Sequence, residues 1–167
     1  MSRWLSLALC LLLAGCAQHL PLPSVPPTLA TPLQLHIQRE QVQAGQPSTQ
    51  DWLLVIQRED ATLRWSLIDP LGIPLSRQLL RDGEWSNDGL LPPNPEAREL
   101  FAALLFALTP EDELAARYRA ADYRTDGATR HLQPGWKITY RSAQDFTLES
   151  AATRYQVTPL NTENSVP

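Results

Sequence analysis

The sequence lacks the motifs that mark the common enzyme classes. It contains no Gly-x-Ser-x-Gly, His-Glu-x-x-His, P-loop or Gly-x-Gly-x-x-Gly arrangement. It also lacks a basic block: 14 Lys and Arg stand against 18 Asp and Glu, which argues against nucleic acid as a partner. His36 and His131 both fall in predicted strands, where histidine is more often a polar-face residue than a base or a ligand. We therefore expect a protein that is not an enzyme, with no catalytic residues, cofactor or bound metal.

Long apolar runs are rare, and the main one lies at the N-terminus. Residues 4–14 are apolar apart from Ser6 and follow a short basic start that contains Arg3. Eleven residues suit the hydrophobic region of a signal peptide and are too few to span a bilayer as a helix. This pattern predicts a leader over residues 1–15.

Cysteine is scarce, since the chain has only Cys10 and Cys16. Cys16 closes the run Leu13-Ala14-Gly15-Cys16, which resembles the lipobox of bacterial lipoproteins; a secretory signal with a chance cysteine is the alternative. The resemblance implies cleavage between Gly15 and Cys16, with lipid carried on the Cys16 thiol. Because Cys10 would leave with the leader, no thiol would remain for a disulfide, a metal site or catalysis. In lipoproteins of this type an aspartate after the cysteine favours retention in the inner membrane. This chain has Ala17 at that position, so the resemblance implies the periplasmic face of the outer membrane.

Proline is abundant only after this point. Residues 16–32 hold the acylated cysteine and five of the 15 prolines, so we predict an extended, solvated linker there. A folded domain is predicted over 33–160, followed by a polar tail over 161–167. A chain of this length suggests one domain, and we expect a monomer.

Alternating apolar and polar residues predict antiparallel strands on both sides of a helical centre. Leu75, Arg77 and Leu79 alternate in this way, and the preceding Asp69-Pro70-Leu71-Gly72 is a turn signal. The predicted strands lie near residues 33–38, 52–57, 63–68, 75–79 and 84–86 before the centre, and near 122–125, 129–133, 136–141, 146–148 and 155–157 after it.

Two helices are predicted in the centre. Asn94 can cap the first, and Pro95 fits its first position. Thr109 is predicted to cap the second, whose acidic first turn, residues 111–113, is expected to be solvated. This second helix is predicted to end near Arg119.

These elements predict an α+β fold in which the antiparallel sheet curls and the two central helices plug its open side. Residues 65–72, residues 88–95 and the helix after them resemble DUF3261, an uncharacterised family of bacterial lipoproteins. The layout is also similar, more distantly, to the outer-membrane lipoprotein receptor of the Lol sorting system. That similarity implies an incomplete antiparallel β-barrel, a half-barrel with the two central helices as a lid over a hydrophobic cavity.

The resemblance favours binding or transfer of a lipid, an acylated cargo or a polyene-lipid. The alternative is a non-catalytic module that docks an envelope protein complex. Apolar side chains of the predicted sheet and helix could line the cavity, although ordinary sheet core explains each of them as well. The candidates are Trp52, Leu54, Trp65, Leu67, Leu104, Leu108, Trp136 and Ile138.

Overall fold

A computed structural model describes residues 20–43, 45–151 and 153–160. Within these residues the chain forms ten strands and two helices. The strands are β1 Leu33–Gln43, β2 Gln46–Glu59, β3 Thr62–Ile68, β4 Pro74–Arg81, β5 Glu84–Asn87, β6 Tyr123–Asp126, β7 Thr129–Leu132, β8 Trp136–Ser142, β9 Asp145–Glu149 and β10 Thr153–Pro159. The helices are α1 Pro95–Leu108 and α2 Glu111–Arg117.

All ten strands belong to one antiparallel sheet, in the order β5-β4-β3-β2-β1-β10-β9-β8-β7-β6. The N-terminal and C-terminal halves meet where β1 pairs with β10. β5 and β6 end the order and are not paired with each other, so the sheet is unclosed. The expected α+β class, with an antiparallel sheet that fails to close, is confirmed.

The inner face of the sheet wraps around α1. Strand residues alternate between a buried inner position and a more exposed outer one, as in β3, where Leu63, Trp65 and Leu67 are buried. Beyond its exposed first turn α1 is buried on every side, because consecutive residues from Leu100 to Ala107 are all buried. A helix that is apolar all round must be enclosed. α1 is therefore the centre of the core.

The start of α1 is as predicted, and the start of α2 is not. Asn94 Oδ1 accepts a hydrogen bond from Ala97 N at 3.0 Å, and Pro95 is the first helical residue. Thr109, however, ends α1: its hydroxyl donates to Leu105 O at 2.7 Å. Pro110 stands at the N-cap of α2 without a side-chain cap, and α2 ends at Arg117, two residues before the predicted end near Arg119.

Strand β4 departs from the expected alternation. The register shifts between Leu67 and Ile68, so that Leu67 pairs with Ser76 and Ile68 with Pro74. A bulge of this kind exchanges the two faces of the strand beyond it. Ser76 and Gln78 consequently face inward with Leu80, while Arg77 is exposed.

The predicted linker differs from the structure over residues 20–32, which we call the strap. Leu20 and Leu29 are buried in the core, and the strap packs along α2. Ser24 N donates to Arg117 O at 3.0 Å, and Arg117 Nη1 donates to Pro26 O at 2.8 Å. Its prolines supply apolar surface and a φ that the ring fixes. Because the strap is docked on the domain, the folded unit begins at least 13 residues before Leu33.

Candidate functional site

The predicted lipidation site lies outside the described residues. Gly15 and Cys16 precede Leu20, the first described residue, so cleavage and acylation at this position stay predictions.

The eight predicted cavity residues come together in the interior. Leu54, Trp65, Leu67, Leu104 and Ile138 are fully or almost fully buried, and Trp136 is buried as well. Trp52 and Leu108 are partly buried against the same core. Six of them therefore share one buried apolar cluster, and Trp52 and Leu108 pack against it.

Aromatic side chains occupy the space between this sheet face and α1. The Trp65 ring lies 5.3 Å from the Phe101 ring and 5.5 Å from the Trp85 ring, centroid to centroid. Three surface clefts formed by described residues have volumes of about 590, 310 and 240 Å³, and none of the three is lined by a predicted cavity residue. The rings of Trp65, Trp85 and Phe101 thus fill the space between β3, β5 and α1, and a ligand could enter there only by displacing side chains.

The N-terminal end of α1 is joined to the sheet by a charged and aromatic group. Arg39, on the inner face of β1, places Nε 2.5 Å from Glu96 Oε1. The Tyr155 hydroxyl donates to the same oxygen at 3.0 Å. Burial raises the pKa of Tyr155, and the neighbouring Glu96 carboxylate raises it further. The Trp52 ring packs under the Arg39 guanidinium at 5.6 Å, so the buried cation is fully surrounded by partners.

The C-terminal end of α1 is held by two strands of the other half of the sheet. The Tyr140 hydroxyl donates to Ala107 O at 2.8 Å, and Arg130 Nη1 donates to Thr109 O at 2.8 Å. Burial raises the pKa of Tyr140, and the Arg130 guanidinium, 4.9 Å from its ring, opposes part of that increase. These donors satisfy carbonyls that the last turn of a helix leaves unpaired.

The structure also places a polar group inside the sheet that the sequence pattern did not indicate. Ser76 is 3% exposed and Gln78 is 1% exposed, both on the inner face of β4. Gln78 Nε2 donates to Ser76 Oγ at 3.2 Å. The leucines at 75 and 79 gave the stronger alternation signal, and the one sign of a bulge was the Pro70-Leu71-Gly72-Ile73-Pro74 segment before the strand.

Three exposed apolar side chains form what we call the apolar rim. Leu71 is 84% exposed and Ile73 56% exposed in the β3–β4 turn, and Leu90 is fully exposed in the β5–α1 loop. Asp69 fixes the turn, since its Oδ1 accepts hydrogen bonds from Leu71 N at 2.9 Å and from Ile73 N at 2.8 Å. This is the turn chemistry expected of Asp69.

The apolar rim and the strap lie at opposite ends of the sheet. The β3–β4 turn and the end of β5 form one end, because β4 and β5 are antiparallel neighbours. The strap reaches the other end, where Pro23 O would lie 3.2 Å from a Cβ added at Gly83 in the β4–β5 turn. Gly83 also has a φ of +78°, so two independent constraints favour glycine here.

In the part of the chain that the structure describes, no three His, Cys, Asp or Glu side chains are grouped to hold a metal. None of the helices within the described ranges has the length and apolar character needed to cross a membrane. No protein-family model matches the chain, and no curated protein matches it.

Proposed function

We propose that this protein is a lipoprotein of the outer membrane that binds or transfers a lipid, an acylated cargo or a polyene-lipid at the periplasmic face, without catalysing a reaction. The observation that carries the proposal is an apolar interior enclosed by an unclosed sheet and a single central helix. Acyl chains require an apolar interior of this kind that can open to admit them.

The way α1 is attached favours such opening. The strands share a continuous ladder of backbone hydrogen bonds, whereas α1 is held by side chains at its two ends and by apolar packing between them. Moving α1 would break a few side-chain bonds and expose the apolar surface that it covers, which a bound acyl chain would cover in turn, and would leave the ladder intact. Because β5 and β6 are not paired with each other, no strand ladder would have to break for a chain to pass between them.

The strap supports a position close to the membrane. An acyl group on Cys16 would lie four residues before Leu20, which is a reach of at most about 14 Å. Because the strap packs at the end of the sheet opposite the apolar rim, the anchor would hold that end toward the membrane. The apolar rim would then face away from it and be free to meet an incoming carrier or cargo.

Site-specific photocrosslinking in native envelopes tests the proposal. A photoreactive amino acid replaces Leu104, which is fully buried in α1, and in a control it replaces Glu99, which is exposed on the same helix. We expect a covalent acyl-lipid adduct from position 104 that is absent from position 99, detected by mass spectrometry. Crosslinks from position 104 to this chain alone would contradict the proposal.

The apolar rim favours a second candidate, docking of an envelope protein complex. Leu71 and Ile73 protrude from a turn that Asp69 holds rigid, which suits a contact with a protein groove. A photoreactive residue at position 71 should then capture one protein partner, and Leu71→Asp with Ile73→Asp should abolish its recovery. This result, together with no lipid adduct at position 104, would select docking over carriage.

A further inference from the structure

The inner face of β3, β4 and β5 carries polar atoms that have no partner. Gln78 Oε1 and the indole Nε1 atoms of Trp65 and Trp85 are buried and make no hydrogen bond within the described structure. The three residues are neighbours, since Trp65 pairs with Gln78 and Trp85 lies diagonally across on β5. Two donors and one acceptor thus share one region of an otherwise apolar interior.

Such a grouping calls for a physical explanation. Buried polar groups in folded proteins are nearly always hydrogen-bonded, because an unpaired one loses its hydration without replacement. Gln78 is 1% exposed, and its amide nitrogen is already used by Ser76, which fixes the side chain and leaves its oxygen as a free acceptor. A leucine would fit the apolar surroundings better than this glutamine does.

We propose that these atoms bind the head of an acyl ligand, a neutral group with a carbonyl oxygen and an N–H or O–H, as in an amide or a protonated carboxylic acid. The carbonyl oxygen accepts from the indole N–H groups of Trp65 and Trp85, and the N–H or O–H donates to Gln78 Oε1. This inference rests on the proposed function and adds to it the chemical class of the head.

The charges of the interior favour a neutral head over a phosphate. Arg39 is the buried cation of the described residues, and Glu96, Gln50 and the Trp52 ring already surround it. No cation is placed among Trp65, Gln78 and Trp85 in the part of the sheet described. A phosphate there would be desolvated without compensation, whereas an amide or an acid would find both of its partners.

The site lies near a free edge of the sheet, which gives it a route of entry. β5 ends the strand order and has only four residues, and Trp85 on it is partly exposed. The Phe101 ring packs against both indoles, at 5.3 Å from Trp65 and 5.8 Å from Trp85. Displacement of Phe101 with α1 would let a head group reach the three atoms while its chain follows the apolar face.

The test compares acyl probes that differ only in the head. The full-length chain, reconstituted in phosphatidylcholine nanodiscs, is irradiated with three 16-carbon probes that carry a diazirine near the head: a primary amide, a methyl ester and an alkane. We expect labelling of peptides from β3 to β5 to be strongest with the amide. Gln78→Leu should lower amide labelling about fivefold or more and leave the ester unchanged, because an ester has no donor for Gln78. Trp65→Phe should lower labelling by both the amide and the ester, because it removes an indole N–H that donates to their carbonyl oxygens.

The matched control is Gln57→Leu, the same substitution at an exposed position of β2. It should leave all labelling unchanged. Urea unfolding separates binding from folding. Gln78→Leu removes an unpaired buried acceptor but also the hydrogen bond to Ser76, and the two effects oppose each other, so the free energy of unfolding should stay close to that of the parent chain. Equal interior labelling by the three probes, or amide labelling unaffected by Gln78→Leu, would overturn the head site and leave the proposed function standing. No interior labelling by any probe would overturn both.

Discussion

Arg39 and Glu96 connect the middle of the sheet to the first turn of its central helix, with Arg39 Nε 2.5 Å from Glu96 Oε1. Arg39 is almost fully buried, whereas the Glu96 side chain is about half exposed, so water partly screens the pair. Glu96→Gln leaves the guanidinium without a counter-charge and should lower the free energy of unfolding by about 1–2 kcal/mol. Urea denaturation followed by circular dichroism measures this loss.

Glu99→Gln is the matched control, because Glu99 is exposed on the same helix. We expect it to change the free energy of unfolding by less than about 0.5 kcal/mol. Equal effects of the two substitutions would show that the loss comes from the charge of the helix and not from the Arg39 contact.

Three of the four tyrosines should make the fold sensitive to alkali. Burial raises the pKa of Tyr118, Tyr140 and Tyr155 above the ordinary value of 10.0. Below pH 10.0 the hydroxyls of these tyrosines are protonated in both the folded and the unfolded state, so they add no pH dependence to the free energy of unfolding. Above it the unfolded chain ionises first, and the free energy of unfolding falls as pH rises. Phenolate absorbance should therefore increase together with the loss of circular dichroism, and Tyr155→Phe should make the fall in stability less steep. Full phenolate absorbance in a chain that is still folded would contradict the prediction.

Acid should release the strap from α2. Glu113 Oε2 accepts from Thr28 N at 3.2 Å and pairs with Arg117, and the Thr28 hydrogen bond is the main cause of its lowered pKa. A lowered pKa stabilises the docked strap above the ordinary value of 4.5, and this contribution is lost as pH falls through the folded-state pKa. Proteolysis within residues 20–32 by an acid protease should accelerate over that range. Glu113→Gln should already be cleaved quickly at neutral pH by a neutral protease, whereas Glu111→Gln, exposed in the same turn, should behave as the parent chain.

Much of the fold could be predicted because its signals are local. Alternation in β3 and β8 comes from side chains that point to opposite faces of one strand. The buried positions are as expected at Leu63, Trp65 and Leu67 in β3 and at Trp136 and Ile138 in β8. The Asn94-Pro95 pair identifies the start of α1, since a side-chain cap and a preset φ both act within one turn.

The rest depended on contacts between distant parts of the chain. The bulge opposite Leu67 turns Ser76 and Gln78 inward, and a pattern that assumes unbroken alternation places Leu75 and Leu79 there. The strap reads as a solvated linker because its proline content is typical of one. Its docking depends on Arg117, nearly one hundred residues away, whose guanidinium donates to the carbonyls of Val25 and Pro26.

Removing the apolar rim should spare the fold. Leu71 and Leu90 project into solvent, so Leu71→Asp and Leu90→Asp should each change the free energy of unfolding by less than about 0.5 kcal/mol. Phe101→Ala provides the contrast, because it leaves a void beside Trp65 and should cost about 3–5 kcal/mol. Urea midpoints followed by tryptophan fluorescence give both values. A large loss from Leu71→Asp would mean that the apolar rim packs within the domain and is not a docking surface.

The anchor is tested with the two cysteines as a matched pair. Cys16→Ala removes the thiol that the lipobox resemblance assigns to acylation, so the chain should keep residues 1–15 and incorporate no labelled palmitate. Cys10→Ala lies inside the predicted leader and should be processed, acylated and fractionated like the parent chain. Intact mass, palmitate labelling and separation of outer from inner membranes give the readout. Normal trimming and labelling of the Cys16→Ala chain would refute the anchor. The orientation argued from the strap would fall with it, since the reach from Cys16 to Leu20 would no longer connect the domain to a membrane.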